Sequence, residues 1–476
     1  MRVVIDGKVL EARKGETVLQ LALRNNIQIP YLCYYPELTV SGSCRTCLVE
    51  IGLQKKDKIE MMPKLQIACG TEVADGMIVI TNSDTIKKTR KAMIEFLLLN
   101  HPLDCPICDQ AGECKLQDYA YTFEQNKSRF SEDKIIRGKK DVGERILLYS
   151  NRCVMCTRCI RFEKYISGNY GLTILKRGVY SELDIFFNRR IDHLLSMNLV
   201  DLCPVGAFVS KSFLFKQRAW FLKTVEAICP GCSKGCNIYL DYNNNIVYRI
   251  RPRFNEKINS HWMCDIGRLT YKWLYHRPRL TENKIRDRVV QAPEAMDTIA
   301  NTLLKNKDKV CVIISPYQTI EELLMIKKLA DYLSLKVMVL FKEDGKEIIF
   351  PKFTIPADRT PNRNGIKKIF SQKIEKIENL DGYDTVILFD YSPENIIKDE
   401  FRKIKEIIIF TPFNDNCLFE NVSIRIAGTL CFEKEGSFIN QNNKQQSFKP
   451  AVLTNINEYD ILKGVYKRVS GHSEVY

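Results

Sequence analysis

Cys153-Val-Met-Cys156-Thr-Arg-Cys159 places three thiols three residues apart, and a fourth thiol follows far downstream in Cys203-Pro204. Three closely spaced cysteines with a remote Cys-Pro form a spacing typical of ligands to an iron–sulfur cluster. The sequence therefore predicts one [4Fe–4S] cluster on Cys153, Cys156, Cys159 and Cys203.

The same spacing indicates that a second cluster has been lost. A ferredoxin with two cubane clusters carries the run twice, and the last cysteine of each run serves the other cluster. Here the fourth place of the first run is Glu163. The three earlier places of the second run, counted back from Cys203, are His193, Ser196 and Leu199. All four ligands of one cluster are replaced together, whereas all four of the other are present.

Composition narrows the class of protein. The chain has 476 residues, 45% of them hydrophobic, which suits about three or four domains. No apolar run approaches the ~20 residues that span a bilayer, and no signal or transit peptide is apparent at the N-terminus. With no mark of secretion, the 18 cysteines favour metal ligation over disulfides. Thiolate ligands would cancel much of the formal charge of +15, so no nucleic-acid partner is expected.

A second cysteine group lies in a β-rich N-terminal region. Asp6-Gly7 favours a hairpin, and Thr17-Val-Leu-Gln20 opens a helix with a capping box. The group consists of Cys33, Cys44, Cys47 and Cys69. It keeps the C-x2-C core and the remote fourth ligand of plant-type ferredoxins, with a longer first gap. Four thiolates also suit tetrahedral zinc, which is the alternative for this group.

A third group follows a predicted helix that Asp84 could cap and that ends before His101-Pro102. Its members are His101, Cys105, Cys108 and Cys114. A lone histidine at a helix end is usually only a polar residue. Three cysteines need a fourth ligand, however, and the neighbouring groups are already complete. A neutral imidazole in place of a thiolate would make a cluster less negative and raise its reduction potential.

A fourth group surrounds a hairpin predicted around Asn243-Asn-Asn. Its members are Cys229, Cys232, Cys236 and Cys264. On spacing alone, a zinc ribbon is the alternative to an iron–sulfur cluster.

The C-terminal region alternates buried-strand runs with helical stretches, one of them capped by Thr319 with Glu322. The predicted strands are Val310–Ile314, Val337–Phe341, Thr385–Phe389 and Ile407–Phe410. This pattern predicts an α/β domain with a parallel sheet. No Gly-rich phosphate loop follows the first strand, so nucleotide binding is not expected. The three remaining cysteines are expected to be structural; they are Cys311, Cys417 and Cys431.

Four motifs carry a resemblance to a known family. They are Ser-Gly-Ser-Cys-Arg-Thr-Cys at 41–47, His-Pro-Leu-Asp-Cys-Pro-Ile-Cys-Asp-Gln-Ala-Gly-Glu-Cys-Lys-Leu-Gln-Asp at 101–118, Arg-Cys-Val-Met-Cys-Thr-Arg-Cys-Ile-Arg-Phe at 152–162 and Val-Asp-Leu-Cys-Pro-Val-Gly-Ala-Phe at 200–208. Over residues 1 to 275 the chain resembles the large iron–sulfur subunit of respiratory complex I, the G subunit of bacterial NADH–quinone oxidoreductases.

The resemblance implies a multidomain α+β and α/β fold. The expected domains are a β-grasp [2Fe–2S] ferredoxin-like domain at 1–82, a helical segment with a histidine-ligated [4Fe–4S] cluster at 83–140, a single-cubane ferredoxin-like domain at 141–221, a small [4Fe–4S] domain at 222–280 and a truncated molybdopterin-oxidoreductase-like α/β domain at 281–476. The expected cofactors are one [2Fe–2S] and three [4Fe–4S] clusters, the Cys229 cluster lying off the main electron route. No molybdopterin, flavin or NAD is expected on this chain.

The resemblance further implies an electron-transfer subunit of a proton-translocating NADH:quinone oxidoreductase, without a substrate-binding site of its own. Electrons would come from a flavin- and NADH-binding subunit and pass toward quinone, with other peripheral-arm subunits as partners. The expected place is the cytoplasmic face of the bacterial inner membrane, attached through the complex. The alternatives are a formate dehydrogenase, an NAD-linked or iron-only hydrogenase, and a zinc-bearing scaffold. The short region after Cys264 argues against the first, and the missing second cubane argues against both enzyme classes.

Overall fold

The computed structural model describes residues 1–55, 58–125, 127–176, 178–339, 344–371, 380–392, 399–414 and 421–471. The chain divides into two compact units. The first comprises Met1–Phe221 with Phe350–Phe353, and the second comprises Leu222–Ile349 with Thr354–Tyr476. Among the described residues, no helix combines the length and the apolar character needed to cross a membrane.

The first unit opens with a mixed β-sheet and one helix. The elements are β1 Arg2–Ile5, β2 Lys8–Glu11, α1 Val18–Arg24, β3 Leu48–Lys55, β4 Lys58–Met61, β5 Gln66–Ile67 and β6 Met77–Ile80. The strand order is β2-β1-β6-β3-β4, with β5 paired to β3. The hairpin at Asp6-Gly7 is confirmed. The capping box is confirmed as well, because Thr17 Oγ1 accepts the Gln20 N–H at 3.3 Å while Gln20 Oε1 accepts the Thr17 N–H at 2.9 Å.

The rest of the first unit is built from short elements joined by long loops. They are α2 Asp84–Leu98, α3 Lys115–Thr122, β7 Lys139–Asp141, β8 Ile146–Tyr149, α4 Arg158–Phe162, β9 Leu172–Leu175, β10 Glu182–Ile185, α5 Asn198–Leu202 and β11 Phe208–Ser210. A π-helical turn, Glu163–Ser167, continues α4. Strands β7, β8 and β11 form one antiparallel sheet, and β9 and β10 form a ribbon.

The prediction that Asp84 caps α2 was wrong by one residue. Ser83 is the cap, and its Oγ accepts the Ile86 N–H at 3.2 Å. Asp84 is instead the first helical residue, where a negative charge is stabilised by the positive end of the helix dipole.

The second unit combines a small three-stranded sheet with a larger α/β layer. Its elements are β12 Lys223–Ile228, β13 Asn237–Asn243, β14 Ile246–Pro252, α6 Asp265–Arg268, α7 Trp273–His276, β15 Asn283–Ile285, β16 Arg288–Val290, α8 Ala292–Asn306, β17 Val310–Ile314, α9 Ile320–Leu333, β18 Lys336–Val339, β19 Ile348–Phe350, β20 Phe353–Ile355, α10 Arg363–Phe370, β21 Thr385–Phe389, β22 Glu406–Thr411, β23 Val422–Ala427, β24 Gly436–Ile439, β25 Gln445–Phe448 and α11 Glu458–Ser470. The hairpin around Asn243 is confirmed as β13–β14.

The larger sheet has the order β16-β15-β23-β22-β21-β17-β18. The four predicted strands are found as β17, β18, β21 and β22 and pair in parallel, and a fifth parallel strand, β23, was not predicted. The remaining edge differs from the prediction, because β15 and β16 are antiparallel additions of three residues each. Runs this short and only partly buried carry little hydrophobic signal. The strand predicted at Val337–Phe341 is found as β18, and residues 340 and 341 lie outside the described residues.

Helix α9 is capped as predicted. Thr319 Oγ1 accepts the Glu322 N–H at 3.2 Å, and the Glu322 carboxylate accepts the Thr319 N–H at 2.7 Å. The core of this unit lies between the parallel strands and helices α8, α9 and α11, with Val312, Ile387 and Ile408 fully enclosed.

Candidate metal centres

The Cys33 group is assembled by loops at one end of the N-terminal sheet. Cys47 directly precedes β3, and Cys69 lies two residues after β5. All four sulfurs are buried. The Cys33 sulfur contacts those of Cys44 and Cys69, and the Cys47 sulfur also contacts that of Cys69. The structure thus brings together four residues that are up to 36 positions apart in sequence.

The protonation of this group is uneven. Hydrogen bonds from neighbouring thiols lower the pKa of Cys33 and of Cys47. Contact with Cys33 raises the pKa of Cys44 and of Cys69. Some thiols therefore ionise readily while their neighbours keep the protons. Binding of a metal, which takes thiolates, would replace those protons with positive charge.

The Cys153 group lines an apolar cavity. Cys159 lies in α4, and Cys203 directly follows α5, so two short helices bring the remote ligand to the loop. The other lining side chains include Val154, Ile160, Ile174, Leu183, Val205 and Phe208. Met155 and Thr157 adopt left-handed backbone conformations, with φ of 50° and 59°. They turn the loop around the cavity, and the Met155 N–H lies 3.4 Å from the Cys153 sulfur.

Burial opposes ionisation of these cysteines. It raises the pKa of Cys153 to about 12 and that of Cys156 to about 11, and negative charge on the neighbouring thiols adds to both shifts. The pKa of Cys159 is raised for the same reasons. Four thiolates in an apolar cavity therefore need a cationic partner, which an iron–sulfur core supplies.

Two buried arginines join the Cys153 loop to the Cys33 loop. Arg158 donates to Leu202 O at 2.9 Å and to Tyr34 O at 2.6 Å. Arg161 donates to Cys33 O at 2.5 Å and to Cys156 O at 3.1 Å. Both arginines are buried, with exposures of 4% and 8%, whereas Lys164 is exposed.

The His101 group surrounds the turns between α2 and α3. Charge interactions connect Cys105, Cys108 and Cys114. The charges of Arg152 and Asp104 act on His101, and the charge of Arg152 also acts on Cys108. Cys114 precedes α3, and its sulfur lies 3.8 Å from Pro204 O.

His101 has the properties of a neutral nitrogen ligand. Burial, together with the positive charges of Lys134 and Arg152, lowers its pKa to about 4. Its Nδ1 is buried and has no hydrogen-bond partner among the described residues. A buried imidazole nitrogen without a partner is costly unless a ligand satisfies it. A metal bound through either nitrogen would fit this environment.

Of the four places that the spacing assigns to a second cluster, three are buried and His193 is partly buried. The Glu163 side chain is fully enclosed, and its Oε1 lies 2.9 Å from His193 Nε2. The other carboxylate oxygen accepts a hydrogen bond from Asn169 Nδ2 at 2.9 Å. Ser196 and Leu199 are fully buried. Side chains fill this place where a two-cluster ferredoxin would have a second cubane.

The Cys229 group belongs to the second unit. Cys229 follows β12, and its N–H donates to Cys236 O at 2.9 Å. Cys264 caps α6, where its sulfur accepts the Gly267 N–H at 3.3 Å. A Cβ at Gly267 would lie 2.6 Å from the Cys229 sulfur, so only glycine lets the two segments approach. Burial raises the pKa of Cys229, Cys236 and Cys264, and raises that of Cys232 to about 12.

Among the described residues, no group of three or more His, Cys, Asp or Glu side chains is arranged to hold a metal ion.

Two residues near the sites, Gly206 and Arg152, were not predicted from the sequence. A Cβ at Gly206 would lie 2.2 Å from the Cys108 sulfur, so the loop after Cys203 touches the neighbouring cysteine group. The sequence signal for Gly206 was its position three residues after Cys203, because glycine allows the backbone to approach a neighbouring group closely. Arg152 is the second, and its positive charge acts on the same Cys108 thiol. Cys311 and Cys431 are buried in the second unit, and Cys417 lies outside the described residues.

Comparison with family models gives four matches along the chain. They are a 2Fe-2S iron-sulfur cluster binding domain at residues 1–84, an NADH-ubiquinone oxidoreductase-G iron-sulfur binding region at 90–129, the ferredoxin-like domain of NADH-quinone oxidoreductase subunit 3 at 143–209 and an NADH-ubiquinone oxidoreductase NDSU1/NuoG-like 4Fe-4S domain at 222–272. Each match contains one of the four ligand groups. The presence of 2Fe-2S and 4Fe-4S ferredoxin-like domains is therefore confirmed.

Similar proteins carry consistent names. The NADH-quinone oxidoreductase G subunit of Rickettsia felis is 39% identical over 329 residues, which are 68% of this chain and 48% of that protein. The NADH-ubiquinone oxidoreductase 75 kDa subunit of Reclinomonas americana is 36% identical over 339 residues, which are 70% of this chain and 48% of that protein. The chain thus matches about half the length of these relatives. A solved NAD+-reducing [NiFe]-hydrogenase structure is 30% identical with a TM-score of 0.41, covering 45% of this chain and 89% of that one.

Proposed function

We propose, from the premise that this chain is related over two thirds of its length to the G subunits of NADH–quinone oxidoreductases, that it is an electron-transfer subunit of such a complex. It would bind one [2Fe–2S] and three [4Fe–4S] clusters through the four ligand groups. Its partners would be the flavin- and NADH-binding subunit and other peripheral-arm subunits. It would lie at the cytoplasmic face of the inner membrane, attached through the complex.

The observation that carries this proposal is the direct connection of three ligand groups within the first unit. Arg158 and Arg161 bind carbonyl groups of the Cys33 loop and lie in the helix that contains Cys159. On the other side, the segment Cys203–Gly206 begins with a ligand of the Cys153 group and ends against the Cys108 sulfur. The Cys153 group is thus the middle member of a continuous series of sites, as an electron relay requires.

The chemistry of the donors supports iron–sulfur clusters at each group. The apolar cavity around the Cys153 group favours neutral thiols in the absence of a cationic core. The buried and unsatisfied Nδ1 of His101 fits a site with a neutral nitrogen ligand. Bound clusters would accept and donate single electrons, while the protein sets their spacing and potentials. No proton transfer by a side chain is part of this role.

The second unit has a different proposed role. The Cys229 group would hold its cluster off the main electron route. The α/β layer that follows would be a cofactor-free relative of molybdopterin-dependent oxidoreductase domains. The division into domains at 1–82, 83–140, 141–221, 222–280 and 281–476 is part of this proposal. The mixed sheet around β17 and β21 supports an α/β scaffold.

Metal analysis of the full chain purified without oxygen tests the proposal. We expect about 14 irons per chain, from one two-iron and three four-iron clusters, with electron paramagnetic resonance signals from both cluster types after reduction. Zinc in place of iron, or stoichiometric molybdenum, would overturn it. The variant Cys311→Ala is the control, because this buried cysteine lies in strand β17 and should not affect iron content.

A further inference from the structure

We infer that Arg152 is a positioning residue that sets the reduction potential of the cluster held by the His101 group. This inference rests on the proposed function, because it requires a redox cluster at that group. Arg152 directly precedes Cys153 in sequence, yet its side chain extends toward the neighbouring group. Its carbon Cδ lies 3.8 Å from where a Cβ at Gly206 would stand, and that same point is 2.2 Å from the Cys108 sulfur.

Arg152 is a buried cation with too few partners. Only 1% of the residue is exposed. Its Nε donates to Asp104 Oδ2 at 2.9 Å, and its Nη1 makes a long contact of 3.5 Å with Gly206 O. Its Nη2 is buried and has no hydrogen-bond partner among the described residues. A buried arginine normally satisfies all its N–H groups, since an unpaired one costs free energy.

The surroundings fix where this group points. The guanidinium lies over the Tyr149 ring, 4.1 Å from its centroid, which blocks one face of the group. Asp104 accepts a hydrogen bond from Nε of the guanidinium, and Gly206 O makes the long contact with Nη1. The positive charge acts on both His101 and Cys108. The remaining N–H groups are therefore available to the sulfur atoms of a cluster bound by these ligands.

This geometry has a definite electrostatic consequence. Reduction adds one electron to a cluster and breaks no bond, so the reduced form is more negative by one charge. A buried cation near the ligands stabilises that form more than the oxidised form, because screening is weak inside the protein. Hydrogen bonds to cluster sulfurs act in the same direction. Arg152 would raise the potential, and Asp104, as a nearby anion, would lower it.

The test is a redox titration of the full chain carrying its clusters, monitored by electron paramagnetic resonance. The signal that His101→Ala removes identifies the cluster. At a fixed ambient potential, Arg152→Gln should lower the ratio of reduced to oxidised cluster about tenfold, which corresponds to about 59 mV. Asp104→Asn should raise the same ratio several-fold. Arg152→Lys, which keeps the charge, should change it less than Arg152→Gln does.

Arg90→Gln is the matched control. Arg90 is also buried, at 5% exposure, and donates to Thr81 O and Leu48 O, but its charge does not act on His101. The Arg90→Gln variant should leave the redox titration of the cluster at the His101 group unchanged. An unchanged ratio in Arg152→Gln, or shifts of the same sign in Arg152→Gln and Asp104→Asn, would overturn the inference. If Arg152→Gln loses the cluster, the Asp104→Asn variant is the test. A ratio of reduced to oxidised cluster that is lowered or unchanged in Asp104→Asn would then overturn the inference. Absence of any signal that depends on His101 in the unmodified chain would instead overturn the proposed function.

Discussion

The ferredoxin-like region contains two places defined by the same ligand spacing, and the chain fills them in different ways. At the first, four cysteines line an apolar cavity. At the second, the carboxylate of Glu163 pairs with His193 at 2.9 Å, and Leu199 is fully buried. The first place, which we call the open place, has a cavity lined by thiols. Side chains fill the second, which we call the closed place.

The difference shows how side chains can close a place that the ligand spacing assigns to a second cluster. A cubane would join its two ligand segments through iron–sulfur bonds, so its absence would leave a cavity unless side chains fill it. A single buried charge in that cavity would be costly. Here both carboxylate oxygens of Glu163 have partners, because His193 satisfies one and Asn169 the other. The pair joins the π-helical turn to the loop before α5, which are the segments that the second cluster would have joined.

The largest effect is expected when a ligand at the open place is removed. Cys203→Ala should lower the iron content by about four atoms per chain, because three thiolates without the fourth hold a cubane poorly. It should also weaken the connection between α5 and α4. Iron analysis and absorbance in the visible range measure the loss. Ser196→Ala, at a place of the lost cluster, is the control and should retain all the iron. Equal iron in both variants would contradict the assignment of Cys203.

The opposite change tests whether the closed place has kept its geometry. We expect the fourfold variant Glu163→Cys, His193→Cys, Ser196→Cys and Leu199→Cys to gain about four irons over the unmodified chain. The turns that present these positions are already formed, since the Ser196 N–H donates to His193 O and the Leu199 N–H to Ser196 O. A matched variant that keeps Glu163 and changes the other three should gain fewer. No gain in the fourfold variant would mean that the loops have diverged from cluster geometry.

The contrast between the two places was visible in the sequence, whereas the means of closing the second place was not. Cysteine spacing alone predicted the four ligand groups, because coordination restricts which intervals can reach one cluster. The replacement of four ligands together predicted the loss. That Glu163 and His193 would pair could not be predicted, since two residues 30 positions apart leave no periodic pattern. The same holds for Arg161, whose partners are backbone carbonyls of a distant loop.

Local structure was predictable where one motif determines it. The capping boxes at Thr17 and Thr319 were found correctly, because their residue types satisfy specific backbone groups. The start of α2 was misplaced, because Ser83 and Asp84 are both good caps and only the backbone geometry distinguishes them. The antiparallel edge of the large sheet was missed, because its pairing depends on tertiary contacts of short strands.

A smaller effect is expected when the pair at the closed place is broken. His193→Leu removes the partner of a fully buried carboxylate, which should cost about 3 kcal/mol of stability. Iron content at the open place should remain unchanged. Urea denaturation followed by fluorescence measures the loss. The control is Arg129→Gln, which breaks an exposed pair with Glu95 and should cost less than about 1 kcal/mol. Equal losses in the two variants would mean that the buried pair does not stabilise this place.

The smallest expected effect concerns the second partner of Glu163. Asn169→Ala removes one hydrogen bond to the carboxylate and should cost about 1.5 kcal/mol, the lower range for bonds to charged groups. Asn169→Asp keeps the size but places a second negative charge near Glu163 Oε2, which Asn169 Nδ2 now contacts at 2.9 Å. It should therefore destabilise the protein more than Asn169→Ala at pH 7, because like charges close together repel each other. Denaturation midpoints of the two variants at pH 7 measure the difference. An Asn169→Asp variant as stable as Asn169→Ala would mean that charge repulsion at this position does not affect stability, and that packing holds the closed place.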